Sequence, residues 1–179
     1  MNRKSVNSIA VLSATAFAGC NLFIGLSMGI YWLSLSPSIF YHEFWPQFLH
    51  FVLTIIPLFL IMPVALVLSA RIDWHKPDLR RIWLITLFFY VVVTAITSII
   101  HLPLNLQMGA ATYSSDAAAR NEWYWLINIF GQADMLDASS NRSYWLLWHV
   151  PRIALTLLIA YFALKASLSA PYESNKDHH

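Results

Sequence analysis

The sequence predicts an all-α integral membrane protein, a four-helix bundle that forms a single domain over residues 1–179. Its composition is 58% hydrophobic and only 11% charged, against about 25% charged residues in an ordinary soluble domain. Four apolar runs are each long enough to cross hydrocarbon, which takes about 20 residues. Because lipid offers no hydrogen-bond partner, each run must satisfy its own backbone, and this predicts helix. The few charges form no basic stripe, so we expect no nucleic-acid partner.

The four predicted spans cover residues 8–36, 48–70, 82–103 and 144–164. The first span contains no charged residue, and its Gly19, Gly25 and Gly29 are expected to permit close helix contact, as small residues do in membranes. Prolines inside the second and fourth spans, Pro151 among them, predict kinks because proline cannot donate a helical hydrogen bond.

The segment between the third and fourth spans, residues 104–142, is too long for a tight turn. It carries Trp123, Tyr124 and Trp125 among acidic residues. Aromatic rings settle at the headgroup level of a bilayer. The pattern therefore predicts an outer-side loop or short helix lying in the headgroup region.

The distribution of basic residues sets the predicted orientation, since cytoplasmic loops carry the excess of lysine and arginine. With the N-terminus inside, eight lie in the cytoplasm: Arg3, Lys4, Arg71, Lys76, Arg80, Arg81, Lys165 and Lys176. Only Arg120 and Arg142 fall in outer loops, and Arg152 lies inside the fourth span. We therefore expect a multi-pass protein of a bacterial inner membrane, with both termini cytoplasmic and the lipid bilayer as its main partner.

Four ionisable side chains lie within or at the edge of the spans: His50, His101, His149 and Arg152. Each costs about 2.5 to 3.5 kcal/mol on insertion scales, so each calls for a reason. Counting about 1.5 Å per residue from the cytoplasmic ends places His50 and His101 about 30 Å above the inner surface. The same count places His149 at about 24 Å and Arg152 at about 20 Å. The four side chains are predicted to converge in the outer half of the bundle.

Helical spacing strengthens this prediction, because residues three or four apart share a face. Trp145, His149 and Arg152 form one stripe on the fourth span, and Asn105 follows His101 by four if the helix continues past the intervening proline. In metal-free chemistry a histidine would deprotonate a phenolic or acidic carbon substrate, and Arg152 would hold the resulting anion.

A metal site is the alternative. His42, His50, His101 and His149 offer imidazoles that copper, iron or zinc accept as ligands, but their spacing matches no metal-binding motif. Haem, with His101 and His149 as axial ligands, is a weaker hypothesis. The sequence leaves the cofactor open between none, a metal ion bound by histidines, and haem.

Two segments carry a family resemblance: His101-Leu102-Pro103-Leu104-Asn105, and Trp145 to Arg152 with its W-x3-H-x2-R arrangement. Over nearly the whole chain the sequence resembles the anthrone-oxygenase-like family of small four-helix membrane proteins. Named members of that family use dioxygen to oxidise the central carbon of an anthrone to a quinone. The resemblance implies an oxygenase with an outer-leaflet pocket, His149 and Arg152 as principal residues and Asn105 as a partner. His101 and the longer, more aromatic outer loop depart from the family pattern.

The sequence thus favours a membrane-embedded oxidoreductase, an oxygenase acting with dioxygen on a small hydrophobic substrate of phenolic or polycyclic character. Residues assigned to catalysis are His149, Arg152 and His101, and those assigned to substrate binding are Asn105, Trp145, Trp148 and Trp125. The competing hypothesis is a non-catalytic metal- or haem-binding subunit, or a structural partner in a larger membrane complex. Either hypothesis is compatible with a homo-oligomer.

The predicted topology can be tested with reporter fusions. Reporters at the N-terminus, in the loop of residues 71–81 and at the C-terminus should all report the cytoplasm, and a reporter near Asp116 should report the outside, because of the basic-residue distribution. An outside signal from the C-terminus would contradict the four-span arrangement.

Overall fold

The computed structural model describes residues 2–112 and 138–169. Every regular element within these residues is helical, and four helices are long and apolar enough to cross a membrane. The predicted all-α membrane bundle is therefore confirmed. The helical segments are Arg3–Leu22, Phe23–Met28 and Gly29–Ser34 in the first span, Pro37–Ile72 in the second, Pro77–Ile96, Thr97–His101 and Leu102–Thr112 in the third, and Ala138–Leu168 in the fourth.

All four helices begin before their predicted spans, and the last three also end after them, whereas the first ends at Ser34 instead of residue 36. The second begins at Pro37, where Ser36 is extended and the proline takes the first helical turn, a position that suits proline because its missing N–H is not needed there. His42 consequently lies in a helix and not in a loop. The third helix continues past Pro103 to Thr112. The hydropathy pattern marks only the portion that crosses hydrocarbon, so the helical turns beyond it were missed.

The spans pack in a ring. The first span contacts the second and the fourth, and the third contacts the second and the fourth. Short connections at residues 35–36 and 73–76 make the first three spans antiparallel to their chain neighbours, as in other up-and-down bundles. Large apolar side chains remain exposed on every span, including Leu12, Leu53, Phe88 and Leu147. In a bilayer these side chains face lipid.

Two apolar clusters fill the interior. One contains Phe17, Leu66, Trp83 and Ile159 and lies toward what we call the basic end, the end carrying Arg3, Arg71, Arg80, Arg81 and Lys165. The other is mainly aromatic, with Trp32, Phe40, Phe44, Trp45 and Trp145 among its members, and lies toward the opposite, aromatic end. Buried polar residues on three spans lie between the two clusters.

A partly buried ion pair and a hydrogen bond from Trp83 join three parts of the chain at the basic end. Arg3 Nε donates a hydrogen bond to Asp73 Oδ1 at 2.7 Å, and Trp83 Nε1 donates to Asp73 Oδ2 at 3.0 Å. Asp73 is only 1% exposed. The contact ties the start of the first span to the turn after the second span and to the third span. It places the N-terminus and that turn at the same end of the bundle.

Removing the Asp73 carboxylate should destabilise the bundle. Asp73→Ala leaves Arg3 and the Trp83 indole without their acceptor, and breaking a buried pair in this way costs about 3 kcal/mol. We expect a lower thermal unfolding midpoint in a fixed detergent. Asp78→Ala is the control, since this carboxylate lies in the first turn of the third span and contributes no more than about 1 kcal/mol through the helix dipole. Equal effects of the two substitutions would contradict this role of Asp73.

Candidate functional site

A layer of buried polar side chains separates the two apolar clusters. Asn21 comes from the first span, His101 from the third, and His149 and Arg152 from the fourth; we call these four residues the polar layer. Asn21 and His101 are fully buried, His149 is 1% exposed and Arg152 is 9% exposed. The structure thus brings together three of the four ionisable residues that the depth estimate placed at one level.

The imidazole rings of His101 and His149 contact each other, and both contact the Trp145 indole. The ring centroids of the two histidines lie 5.5 Å apart at an interplanar angle of 88°. The Trp145 indole stacks on His149 at 4.5 Å and contacts His101 edge to face at 5.7 Å. Trp145 Nε1 donates a hydrogen bond of 2.8 Å to Asn105 Oδ1. The predicted stripe on the fourth span and the predicted pair on the third therefore meet, because the helix does persist past Pro103.

Gly25 makes room for His149. A Cβ atom built on Gly25 would lie 2.7 Å from His149 Cδ2 and would also clash with Ile153 Cδ1. Gly29 approaches the same helix, where a Cβ atom would lie 2.9 Å from Leu146 Cδ1. The expectation of close helix contact is correct for these two glycines. It is wrong for Gly19, whose added Cβ atom would meet nothing within 4 Å.

Two π-helical segments flank the polar layer. Phe23–Met28 contains Gly25, and Thr97–His101 ends on His101 itself. A π-helical turn holds an extra residue and so changes which side chains face the interior beyond it, and such turns occur often at functional sites. Neither π-helical segment was predicted from the sequence.

A hydrogen bond assigns the tautomer of His149. Its Nε2 lies 3.1 Å from the Asn21 backbone carbonyl oxygen. A carbonyl oxygen can only accept, so Nε2 carries the proton, and in the neutral ring Nδ1 keeps its lone pair. Within residues 2–112 and 138–169, His149 Nδ1 has no hydrogen-bond partner. The ring therefore presents one unused acceptor nitrogen in the interior of the bundle.

Arg152 is a buried cation without a counter-charge among the described residues. The one ion pair found in that part of the chain joins Arg3 to Asp73, and Arg152 Nε has no hydrogen-bond partner there. The guanidinium lies close enough to His101 and His149 to interact electrostatically with both imidazoles. Neither imidazole offers a negative charge. The layer is thus electropositive, and no anion lies beside it in the described ranges.

The four proposed metal ligands do not form one site. His42 and His50 are exposed, while His101 and His149 are buried in the polar layer. No group of three or more histidine, cysteine, aspartate or glutamate residues occurs in the described ranges, whereas zinc sites use three or four protein ligands. The depth estimate failed for His50 because depth does not determine which face of the helix a residue occupies.

The described residues also do not fit haem between His101 and His149. The iron would have to lie between two imidazoles on opposite faces of a porphyrin plate. These two rings contact each other edge to face with nothing between them.

Of the predicted substrate-binding residues, Asn105 and Trp145 border the layer. Trp148 is 39% exposed, and Trp125 lies outside the described residues.

Two residues of the site region were missed by the sequence analysis. Asn21 was taken as part of an apolar run, yet its carbonyl oxygen fixes the His149 tautomer. Arg142 was assigned to an outer loop, but it lies in the fourth helix, and its Nη1 donates to the carbonyl oxygens of Trp32 at 3.1 Å and Leu35 at 2.5 Å. It thereby caps the end of the first span. Nothing in the sequence distinguishes these roles from ordinary polar residues.

The aromatic cluster closes the polar layer on one side. Trp32 contacts Trp145 and Phe44 edge to face, with centroid distances of 5.4 and 4.8 Å. A void bordered by these three rings and Arg142 has a volume of about 10 Å³, which is room for one water molecule.

No family model, curated protein or solved structure matches this chain. Fold and site together define an all-helical membrane protein with an electropositive polar layer buried between four spans.

Substitution of Gly25 tests the packing of the layer. Gly25→Ala should lower stability by about 1 to 3 kcal/mol, the usual cost of overpacking, because the added methyl group meets a histidine held by Trp145 and Asn21. Gly19→Ala is the matched control on the same span, and it should be neutral or stabilising by up to about 1 kcal/mol, since alanine is the better helix former. Thermal unfolding in one detergent compares them. A neutral Gly25→Ala would mean that His149 is not held as described.

Proposed function

We propose that the chain is a membrane-embedded oxidoreductase, an oxygenase that uses dioxygen to convert an acidic C–H carbon of a small hydrophobic, phenolic substrate into a carbonyl. The observation that carries this proposal is the pair formed by Arg152 and His149. Among the residues that the structure describes, Arg152 is a buried cation with no anion beside it, and His149 is a buried base whose Nδ1 lone pair has no partner. The proposal also rests on the resemblance of the W-x3-H-x2-R stripe to the anthrone-oxygenase-like family.

The free-energy cost of burying the Arg152 guanidinium supports the proposal that this site binds an anionic ligand. An ion taken out of water without a partner costs several kcal/mol, and intramembrane ionisable residues therefore mark functional sites by default. A bound phenolate or enolate would supply the missing negative charge and would accept hydrogen bonds from the guanidinium. Charge-assisted hydrogen bonds of this kind are about twice as strong as neutral ones.

The free nitrogen of His149 supports a role as general base. The Asn21 carbonyl holds the proton on Nε2, so Nδ1 is available to remove a proton from a substrate carbon. Trp145 keeps the imidazole plane fixed by stacking, and a positioned base contributes about 10² to 10⁴ in rate. His101, in contact with His149 and near Arg152, completes the wall of the layer.

The proposed reaction balances without a further reductant. His149 removes a proton from a methylene carbon, and the electron pair delocalises onto a substrate oxygen held by Arg152. Dioxygen takes up this pair as a C–O bond forms, and the proton returns to the distal oxygen to give a hydroperoxide. Loss of water from the hydroperoxide leaves a carbonyl, so that CH₂ and O₂ yield C=O and H₂O.

Substrate binding requires an opening of the layer. The void beside Trp145 holds no more than one water molecule, whereas ordinary ligand pockets occupy about 300 to 1,000 Å³. We propose that a hydrophobic substrate enters from the bilayer by displacing the Trp145 and Trp32 rings. The indole of Trp145 both borders the void and stacks on His149, so its movement would join the void to the polar layer.

The same proposal places the protein in a bacterial inner membrane with both termini in the cytoplasm. Its support is the excess of lysine and arginine at the basic end. The Arg3 to Asp73 contact at 2.7 Å supports a common side for the N-terminus and the turn after the second span. In this orientation the polar layer lies in the outer half of the membrane.

A second candidate function is a non-catalytic subunit in which the layer serves helix association. The hydrogen bonds from His149 to the Asn21 carbonyl and from Trp145 to Asn105 each join two different spans. Such bonds contribute about 0.6 kcal/mol on average within membranes. This role would need the hydrogen bonds but not the positive charge of Arg152.

Activity measurements with charge variants test the proposal. Purified protein in nanodiscs should consume dioxygen in the presence of a dihydroxyanthrone and form the corresponding quinone. His149→Asn should reduce the rate by about 10² to 10⁴ because the base is lost. Arg152→Leu should abolish turnover while the protein still inserts, since removing the charge favours insertion by about 2.5 to 3.5 kcal/mol.

The exposed His75, located in the turn of residues 73–76, supplies the matched control. His75→Asn makes the same chemical change outside the bundle and should leave the rate unchanged. If wild-type protein neither consumes dioxygen nor binds the anthrone, and if Arg152→Leu is simply more stable than wild type, the oxygenase proposal fails in favour of the structural role.

A further inference from the structure

An open groove lies on the outer surface of the third span, at the basic end. Its volume is about 600 Å³, within the range of roughly 300 to 1,000 Å³ that is typical of ligand pockets. The charged residues that line it are Asp78, Arg80 and Arg81, and its apolar lining includes Leu84, Ile85 and Phe88. The groove is remote from the polar layer, which lies on the far side of the apolar cluster around Trp83.

Helical spacing separates the charged and apolar linings into two levels. Arg80, Leu84 and Phe88 follow one another at intervals of four, and Arg81 precedes Ile85 by four, so all five lie along one face. Phe88 lies about 10 to 12 Å deeper along the axis than the two arginines. Leu84 is 45% exposed and Phe88 is 62% exposed. The face therefore presents guanidinium groups at the membrane surface and an apolar strip below them.

The charged lining of the groove, which lies at the membrane surface, favours an anion. The groove carries two arginines against one aspartate, and within the described ranges neither arginine forms an ion pair, since the pair found there joins Arg3 to Asp73. Arg80 is oriented by Trp74, whose ring centroid lies 5.0 Å from the guanidinium carbon. Asp78 lies in the first turn of the helix, where the helix dipole favours a negative charge. The net charge of the lining is positive.

We propose that this groove binds one anionic phospholipid from the leaflet at the basic end. The phosphate is held by Arg80 and Arg81, whose guanidinium groups match phosphate oxygens in bidentate geometry. One acyl chain lies along Leu84, Ile85 and Phe88. A free phosphate ion would contact only the arginines at the membrane surface and would leave the apolar strip uncovered. The charged and apolar linings together therefore favour a lipid. The inference is independent of the polar layer and of its chemistry.

Lipid retention by the purified full chain tests the inference. The protein is exchanged into nanodiscs containing equal amounts of phosphatidylglycerol and phosphatidylcholine, then released, and native mass spectrometry counts the lipids that remain bound. A basic residue that contacts the headgroup of the bound lipid is expected to contribute about fivefold to the affinity for anionic lipid. The double variant Arg80→Gln/Arg81→Gln should therefore bind phosphatidylglycerol about thirtyfold more weakly.

The control variant removes the same charge from the end of the second helix and from the turn that follows it. Arg71 and Lys76 belong to the basic end but do not line the groove, so Arg71→Gln/Lys76→Gln should retain phosphatidylglycerol nearly as wild type does. A third variant, Phe88→Ser, keeps both arginines and should weaken retention of the long-chain lipid. Thermal unfolding midpoints confirm that each variant is folded.

Three outcomes would overturn the inference. Equal losses in the two double variants would show a diffuse charge effect instead of a site. Equal retention of phosphatidylglycerol and phosphatidylcholine by wild type would show that the headgroup charge is not recognised. Displacement of the bound lipid by millimolar inorganic phosphate, together with no effect of Phe88→Ser, would identify a site for free phosphate.

Discussion

The structure depends on one constraint, which is that the hydrocarbon of a bilayer offers no hydrogen bonds and no counter-charge. Backbone groups meet this constraint by forming four helices. Side chains meet it differently at each level of the bundle. At the basic end, Asp73 is buried but receives hydrogen bonds from Arg3 and Trp83. In the middle of the bundle, Arg152 is buried with no carboxylate beside it in the described part of the chain. That contrast is the reason to regard Arg152 as a binding residue and Asp73 as a structural one.

The residues around Arg152 depart from regular helix structure and from full hydrogen bonding. These departures would not be expected if the residues served stability alone. Gly25 is a poor helix former, but its lack of a Cβ atom lets His149 approach the first span. Two π-helical segments replace regular helix at the level of the layer. His149 uses Nε2 to bind a backbone carbonyl, and its Nδ1 has no hydrogen-bond partner within residues 2–112 and 138–169. Natural proteins tend to break local rules at functional sites, and here four such departures occur around one pair of side chains.

The sequence predicted the bundle, and it predicted the proximity of several residues of the polar layer, because both follow from periodicity and depth. Counting residues along straight helices was enough to place His101, His149 and Arg152 at one level, and spacing by three or four was enough to place Trp145 and Asn105 beside them. The same count failed for His50, which lies near that level but on an exposed face. Which face of a membrane helix points into the bundle depends on its packing against neighbouring helices. A nearly uniform apolar run carries no pattern that predicts this face. The Asn21 carbonyl and the Arg142 cap act through backbone groups of other spans, so they became visible only in three dimensions.

Under the proposed function, a bound anion and not the protein supplies the negative charge opposite Arg152. A high-resolution map of the protein in lipid, prepared with a dihydroxyanthrone, tests this most directly. We expect non-protein density with an oxygen at about 2.7 to 2.9 Å from the Arg152 guanidinium, the spacing of a charge-assisted hydrogen bond. A carbon of the same molecule should face His149 Nδ1. A carboxylate of the chain itself paired with Arg152, with the Trp145 ring still closed over His149, would contradict it.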